Sequence, residues 1–150
     1  LDEVAEENAK RRVHEYEELY DMHTVKKHSS EIPDRALKQR AINGADPHTG
    51  VVPRPPRGNP SSQFHNWRMH LGALNKARTR DKNGLIMHTG QDQNDTPIVR
   101  FELPGAGRGY KPNRNDPQNP ILNENMNWFE VKFDKTNMQE PFTGFPSEKK

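Results

Sequence analysis

Apolar residues recur at helical spacing in two stretches of the chain. Ala9, Val13, Tyr16 and Tyr20 follow one another at intervals of four, three and four, which draws one narrow stripe along a helix. Acids crowd its first two turns, where the helix dipole favours them, and so thin a stripe needs a surface to lie on. Phe64, Trp67, Leu71 and Leu74 repeat at three, four and three within QFHNWRMHLGALNKARTR, a fuller buried stripe with Ser61 or Ser62 as the expected cap. Between them, DRALKQRAIN after Pro33 predicts a short helix stopped at Asn43–Gly44.

From Gly84 the period changes to two. LIMH (Leu85–His88) and PIVRFEL (Pro97–Leu103) predict strands joined by the polar loop TGQDQND. Trp128–Phe133 predicts a final strand with Trp128, Glu130 and Lys132 on one face and Phe129, Val131 and Phe133 on the other. Residues 104–126 carry almost no apolar side chains and read as an irregular loop. GADPHTGVVPRPPRGNP reads as a semi-rigid strap with Arg54 and Arg57 projecting from it. The expected class is therefore α+β: two main helices and a small antiparallel sheet of about three strands, with long extended Pro/Gly/Asn-rich connectors. The chain divides into a helical arm over 1–43, a linker over 44–60, and a small α+β region with an extended tail over 61–150.

Composition changes that picture in one respect. Leu, Ile, Val and Phe supply 26 of 150 residues, about 17%, which is thin for a core of this size. Net charge is only +2, so repulsion does not hold the chain open. A fold completed partly by partners is the expectation that results. Charge is also uneven: net −5 over residues 1–22, +8 over 23–80 and −1 over 81–150, a distribution suited to lying across several different surfaces. With no cysteine, disulfides and thiolate metal sites are excluded. No apolar run approaches the ~20 residues that span a bilayer, and LDEVAEENAK has neither a signal core nor a transit pattern, so a chain starting at Leu1 is expected to have been processed or trimmed.

The search for reactive groups predicts no enzyme, no cofactor and no metal. GAGRG (Gly105–Gly109) is followed by Pro112 and an Asn/Pro run instead of a helix, which does not suit a dinucleotide loop and leaves Arg108 to meet an anion. The histidines His14, His23, His28, His48, His65, His70 and His88 are scattered, and no set has zinc-ligand spacing. Glu130 and Asp134 lie close in sequence without an environment for acid–base work.

VRFELP (Val99–Pro104), WFEVKFD (Trp128–Asp134) and PFTGF (Pro141–Phe145) occur in that order. This succession resembles a small accessory subunit on the peripheral arm of mitochondrial respiratory complex I, with Phe145 standing where that family's turn has Trp. The resemblance implies a non-catalytic mitochondrial subunit, on the matrix side or membrane-associated through its partners, that braces several protein neighbours and holds no cofactor. Phe64, Trp67, Leu71, Trp128, Phe129, Phe133, Phe142 and Phe145 are its expected anchors, since aromatics bury large areas per ordered side chain. The rival expectation is an organellar ribosomal or other RNA-associated protein. It would neutralise phosphate through the basic block over 26–80, with Arg54, Arg57, Arg68, Arg78 and Arg80, joined by Arg108, as contacts. A protein lining a filament is a further alternative; it would need repeats at lattice spacing, and the sequence has none.

Overall fold

The computed structural model describes residues 2–20, 22–82, 90–91, 97–133 and 141–148. It is α+β. Helices α1 (Asp2–Tyr20), α2 (Thr24–His28) and α3 (Asp34–Asn43) come first. Strand β1 (Ser61–Phe64), helix α4 (Trp67–Lys82) and strands β2 (Gly90–Gln91), β3 (Pro97–Lys111), β4 (Ile121–Phe133) and β5 (Pro141–Ser147) complete it. The sheet is antiparallel throughout, in the order β1-β3-β4-β5, with β2 pairing the start of β3.

Both long stripes fold inward onto each other. Ala9 and Val13 of α1 meet Met22, Trp67 and Leu74, with Tyr16 and Leu71 packed against that cluster, so α4 is the surface that α1 lies on. The other side of α4 buries Ala73 and Ala77 against Phe64, Val99, Phe101, Phe129 and Val131 of the sheet. A third cluster joins Leu37 and Ala41 of α3 to Tyr110. The sheet thus has α4 on one face and α3 over the other, and a low apolar count still yields three buried clusters because most Phe, Val and Ala side chains of the ordered elements point inward.

Four expectations need correction. The sheet has five strands among the described residues instead of about three. Residues 104–126 are not an irregular loop: β3 runs to Lys111 and β4 begins at Ile121, which leaves only 112–120 as the turn. Ser61 and Ser62 do not cap α4 but pair with Tyr110 and Gly109 as β1. That polar strand is buried because its side chains have partners: Ser61 Oγ donates to the Leu37 carbonyl at 2.7 Å, and Gln63 Nε2 to the carbonyls of Ser29 and Ile32 at 3.1 and 3.0 Å. Last, Arg108 is not left for an external anion, as its geometry below makes clear. The strand expected at Leu85–His88 lies outside the described residues.

The cap of α4 is Asn66, whose Oδ1 accepts from the Met69 amide at 2.8 Å. Glu6 of α1 supplies the neighbouring acceptors, taking the Trp67 and Arg68 amides at 2.7 and 3.1 Å. Since Glu6 shares the load, Asn66→Ala is expected to cost about 1 kcal/mol in urea unfolding, the ordinary value of one cap. The stop of α3 is as expected: Gly44 sits at φ 82° and its N–H returns to the Arg40 carbonyl at 2.8 Å. Gly107 is required by closeness rather than by φ. A Cβ there would meet the Gln63 carbonyl oxygen and stand 2.5 Å from Pro146 Cγ, so β1 and β5 converge over β3 at this point.

Candidate functional site

Most of the expected anchors are occupied within the chain. Phe64 and Phe129 are fully buried and Trp67 nearly so. Leu71 packs on the α1–α4 cluster, while Trp128 and Phe145 are half-buried. The side chains of Phe133, Phe142, Arg78 and Arg80 lie outside the described residues, as do His88 and Asp134.

The expected anion contacts separate into three kinds. Arg54 and Arg57 are exposed on the stretch between α3 and β1. Arg68 is exposed but held by Glu6 at 3.0 Å and Asp2 at 3.6 Å. Arg108 finds its anions inside the chain: Nη2 reaches Asp34 at 2.7 Å, Nε reaches Glu124 at 3.3 Å, and Nη1 donates to Gln63 Oε1 at 2.9 Å. Burial works against ionisation of Asp34. The bonds from Arg108 and Tyr110 outweigh it and hold the carboxyl below its ordinary range. This network ties α3 to the sheet.

Two histidine environments stand apart from the rest. His70 is wholly buried, stacked on Phe64 with ring centroids 4.1 Å apart and parallel to Trp67 at 5.4 Å. Thr24 Oγ1 donates to a Glu17 carboxylate oxygen, which only accepts, so His70 Nε2 must be the donor to Thr24 Oγ1 at 2.9 Å. His70 is therefore the Nε2–H tautomer, and desolvation first, then the neighbouring His28 and His14, hold its pKa well below the ordinary value. Its Nδ1 has no partner among the described residues. With His70 stacked between Phe64 and Trp67, this Glu17–Thr24–His70 chain fastens α1 and α2 to α4.

His28 is built differently. It ends α2, and its Nδ1 stands 2.9 Å from the Ser62 carbonyl, which can only accept. The proton is therefore on Nδ1, and Nε2 carries the lone pair with no hydrogen bond among the described residues. The ring packs on Phe145 at 5.1 Å and 31°. Lys132 Nζ lies 5.9 Å from the centre of the same Phe145 ring. Strand register explains the grouping: Lys132 is opposite Thr143 on β5, and Phe145 is two residues on, on the same face. Desolvation is the main cause that pushes the His28 pKa down to about 4; the Ser62 bond opposes it, and Arg40, Lys27 and Lys132 add repulsion. The charges of Lys27 on α2, Arg40 on α3 and Lys132 on β4 thus act together on one neutral imidazole.

Arg40 is the unusual member. It is half-buried, and burial lowers its pKa. Its side-chain Nε donates to the Pro60 carbonyl at 3.4 Å, and it has no ion pair among the described residues. Asp46 is the carboxylate whose charge favours the Arg40 cation, and Arg40 favours the Asp46 carboxylate in return, while Asp46 Oδ1 accepts the amides of His48 and Thr49 at 2.8 and 3.1 Å. Sequence reasoning places Lys27 and Arg40 within a basic block without singling them out, and treats His28 as one of seven scattered histidines. The one local signal is the run Lys26-Lys27-His28.

A separate open groove of about 1100 Å³ lies between α1 and the segment from Met22 to Pro33, bordered by Lys10, His14, Glu17, His23, Glu31 and Trp67. Its charges are mixed and partly paired, as in Lys10–Glu31 at 2.9 Å. No set of His, Asp and Glu among the described residues is arranged to hold a metal ion, and no described helix is long and apolar enough to cross a membrane. No protein-family profile matches the chain, and searches of curated proteins and of solved structures likewise found no match.

Proposed function

We propose that the chain binds nucleic acid through its phosphates, with Lys27, His28, Arg40 and Lys132 as the contact centre. The observation that carries this reading is Arg40: a half-buried guanidinium that makes no ion pair among the described residues, and whose charge acts on the neutral His28 together with those of Lys27 and Lys132. Withdrawing a charge from water is costly unless an opposite charge meets it. Where the chain needs an arginine for architecture it supplies the carboxylates, as at Arg108. At Arg40 no such pair forms among the described residues, and a phosphate oxygen is a partner that a planar guanidinium receives well. Arg54 and Arg57, exposed on the adjoining connector, extend the positive surface from this centre.

Binding of a fluorescent single strand at increasing salt tests the reading. Each phosphate contact contributes about −0.7 to the slope of log K against log salt. The intact chain is expected to give a slope of about −2 or steeper, and Arg40→Met to make it shallower by about 0.7. An unchanged slope in that variant would remove Arg40 from the interface. The bracing-subunit reading keeps one observation of its own, the exposed Ile121 and Leu122 at the start of β4, 44% and 42% accessible. Salt-independent capture of protein neighbours with no affinity for nucleic acid would favour it.

A further inference from the structure

Resting on that phosphate-binding reading, we propose that the strand bound is single and that Trp128 stacks one of its bases, a guanine whose pairing edge is held by Glu102. The sheet register places the groups. Glu102 on β3 lies opposite Trp128 on β4, and Trp128 lies opposite Ser147 on β5. Two residues along, Glu130 is opposite Phe145, and two further, Lys132 is opposite Thr143. Paired side chains and their second neighbours share a face, so Glu102, Trp128, Lys132 and Phe145 lie together on the side turned away from the core that α4 covers. Contacts on that face agree: Arg100 meets Glu130 at 2.6 Å, and Lys132 Nζ stands 5.9 Å from the centre of the Phe145 ring.

The fold itself uses Phe145, on which the His28 ring packs at 5.1 Å. It also uses Trp67, buried in ring contact with His14 and His70. Trp128 is different: half-buried, it makes no hydrogen bond and no ring contact among the described residues. It stands where the ladder opens, since β5 ends at Ser147 opposite it and β3 leaves register between Glu102 and Gly107. An indole there offers ring surface to a base, and every base has a face to lay on it. Glu102 decides which base. It is exposed, and its carboxylate makes no ion pair among the described residues. A carboxylate does not receive phosphate; it accepts N–H groups. Only guanine carries two neighbouring N–H donors, at N1 and N2, on its pairing edge, whereas adenine and cytosine offer one amino group and thymine or uracil one ring N–H. A base inside a duplex presents neither its face nor that edge, which is why the strand is single. Lys132, roughly 13 Å from Trp128 at the rise of an extended strand, meets phosphate at the other end of the same face.

The test titrates the purified chain with labelled single-stranded oligothymidine, with and without one central guanine, at several salt concentrations, and follows tryptophan fluorescence in parallel. The guanine strand is expected to bind about tenfold tighter and to quench the fluorescence. Trp128→Ala is expected to weaken binding about tenfold with the salt slope unchanged, because stacking involves no counterion. Glu102→Gln is expected to abolish the preference for guanine and keep affinity for plain oligothymidine. Should Trp128→Ala fail to fold, Trp128→Phe keeps a ring to stack on, and binding without quenching is expected. Quenching that persists in Trp128→Phe would come from Trp67 and would overturn the stacking. So would salt-dependent binding of equal strength in folded Trp128→Ala, which leaves the phosphate reading standing. Equal affinity for the two strands in the intact chain would overturn the pairing of guanine with Glu102. Failure to bind either strand at any salt concentration would overturn this inference and the phosphate reading together.

Discussion

Replacing Phe129 by alanine is expected to lower the free energy of unfolding by about 3–5 kcal/mol, the cost of removing a large ring from a packed core. Phe129 is fully buried at the middle of β4, 5.0 Å from the Phe101 ring and 5.8 Å from that of Phe64, and it belongs to the core that α4 covers. Single domains are held by roughly 5–15 kcal/mol, and a chain with so few large apolar residues has little reserve. A sizeable shift of the urea midpoint is therefore expected, with the slope unchanged. A loss under about 1 kcal/mol would mean that the core is held elsewhere.

The second large effect is on pH. His28 and His70 are both held neutral by burial, with folded pKa values below the ordinary 6.5, about 4 for His28. Between those limits the unfolded chain binds protons that the folded chain refuses. Stability is therefore full above about pH 6.5 and falls as pH drops toward 4. For His28 alone, with about 1.4 kcal/mol lost for each tenfold weakening of proton affinity, the loss across the window is about 3 kcal/mol. His70 adds to it in the same direction. Asp34 and Asp46, whose pKa values are lowered in the fold, add a second loss only below about pH 3.8. Urea unfolding at pH 7.0, 5.5 and 4.5 checks this: a steady fall is expected, and His28→Gln should flatten part of it. Constant stability to pH 4.5 would mean that both imidazoles reach solvent. Bound phosphate would favour protonated His28, so nucleic acid should protect most in this same window.

Much of the fold is legible from periodicity. Ala9 and Val13 of α1, Trp67 and Leu74 of α4, and Phe129 and Val131 of β4 are buried as their spacing indicates, because each element has an apolar face of its own. Phe64, read as the first residue of the second helical stripe, stands on β1 and joins the sheet cluster instead. The polar part of the sheet is hidden for the complementary reason. Ser61–Gln63 and Gly107–Tyr110 form paired strands through backbone bonds and through side-chain partners on α3, such as Leu37 and Asp34, which no local pattern announces. Gly107 and Gly109 look like loop residues in sequence. In the fold they let β1 come within a distance that a Cβ would block.

The candidate site is less legible still. Lys27 and His28, Arg40, Lys132 and Phe145 come from α2, α3, β4 and β5; the sheet register sets Lys132 near Phe145 and the Ser62 carbonyl orients His28, and no local pattern announces either. What the sequence does supply is the charge asymmetry of the basic block, without a centre. Aromatic residues expected to anchor partners, such as Phe64 and Phe129, are core. An aromatic at helical or strand spacing has the same signature whether its neighbour is another chain or its own.

The central claim is that a phosphate backbone enters among Lys27, His28, Arg40 and Lys132. The most direct measurement is a nuclear magnetic resonance titration of the labelled chain with a short single-stranded DNA. The His28 ring and the amides of Lys27, Thr143 and Phe145 are expected to shift first and together, with the His28 pKa rising on saturation. Unmoved His28 signals, with shifts confined to Arg54–Arg57 or to the groove at Lys10 and Glu31, would contradict the account.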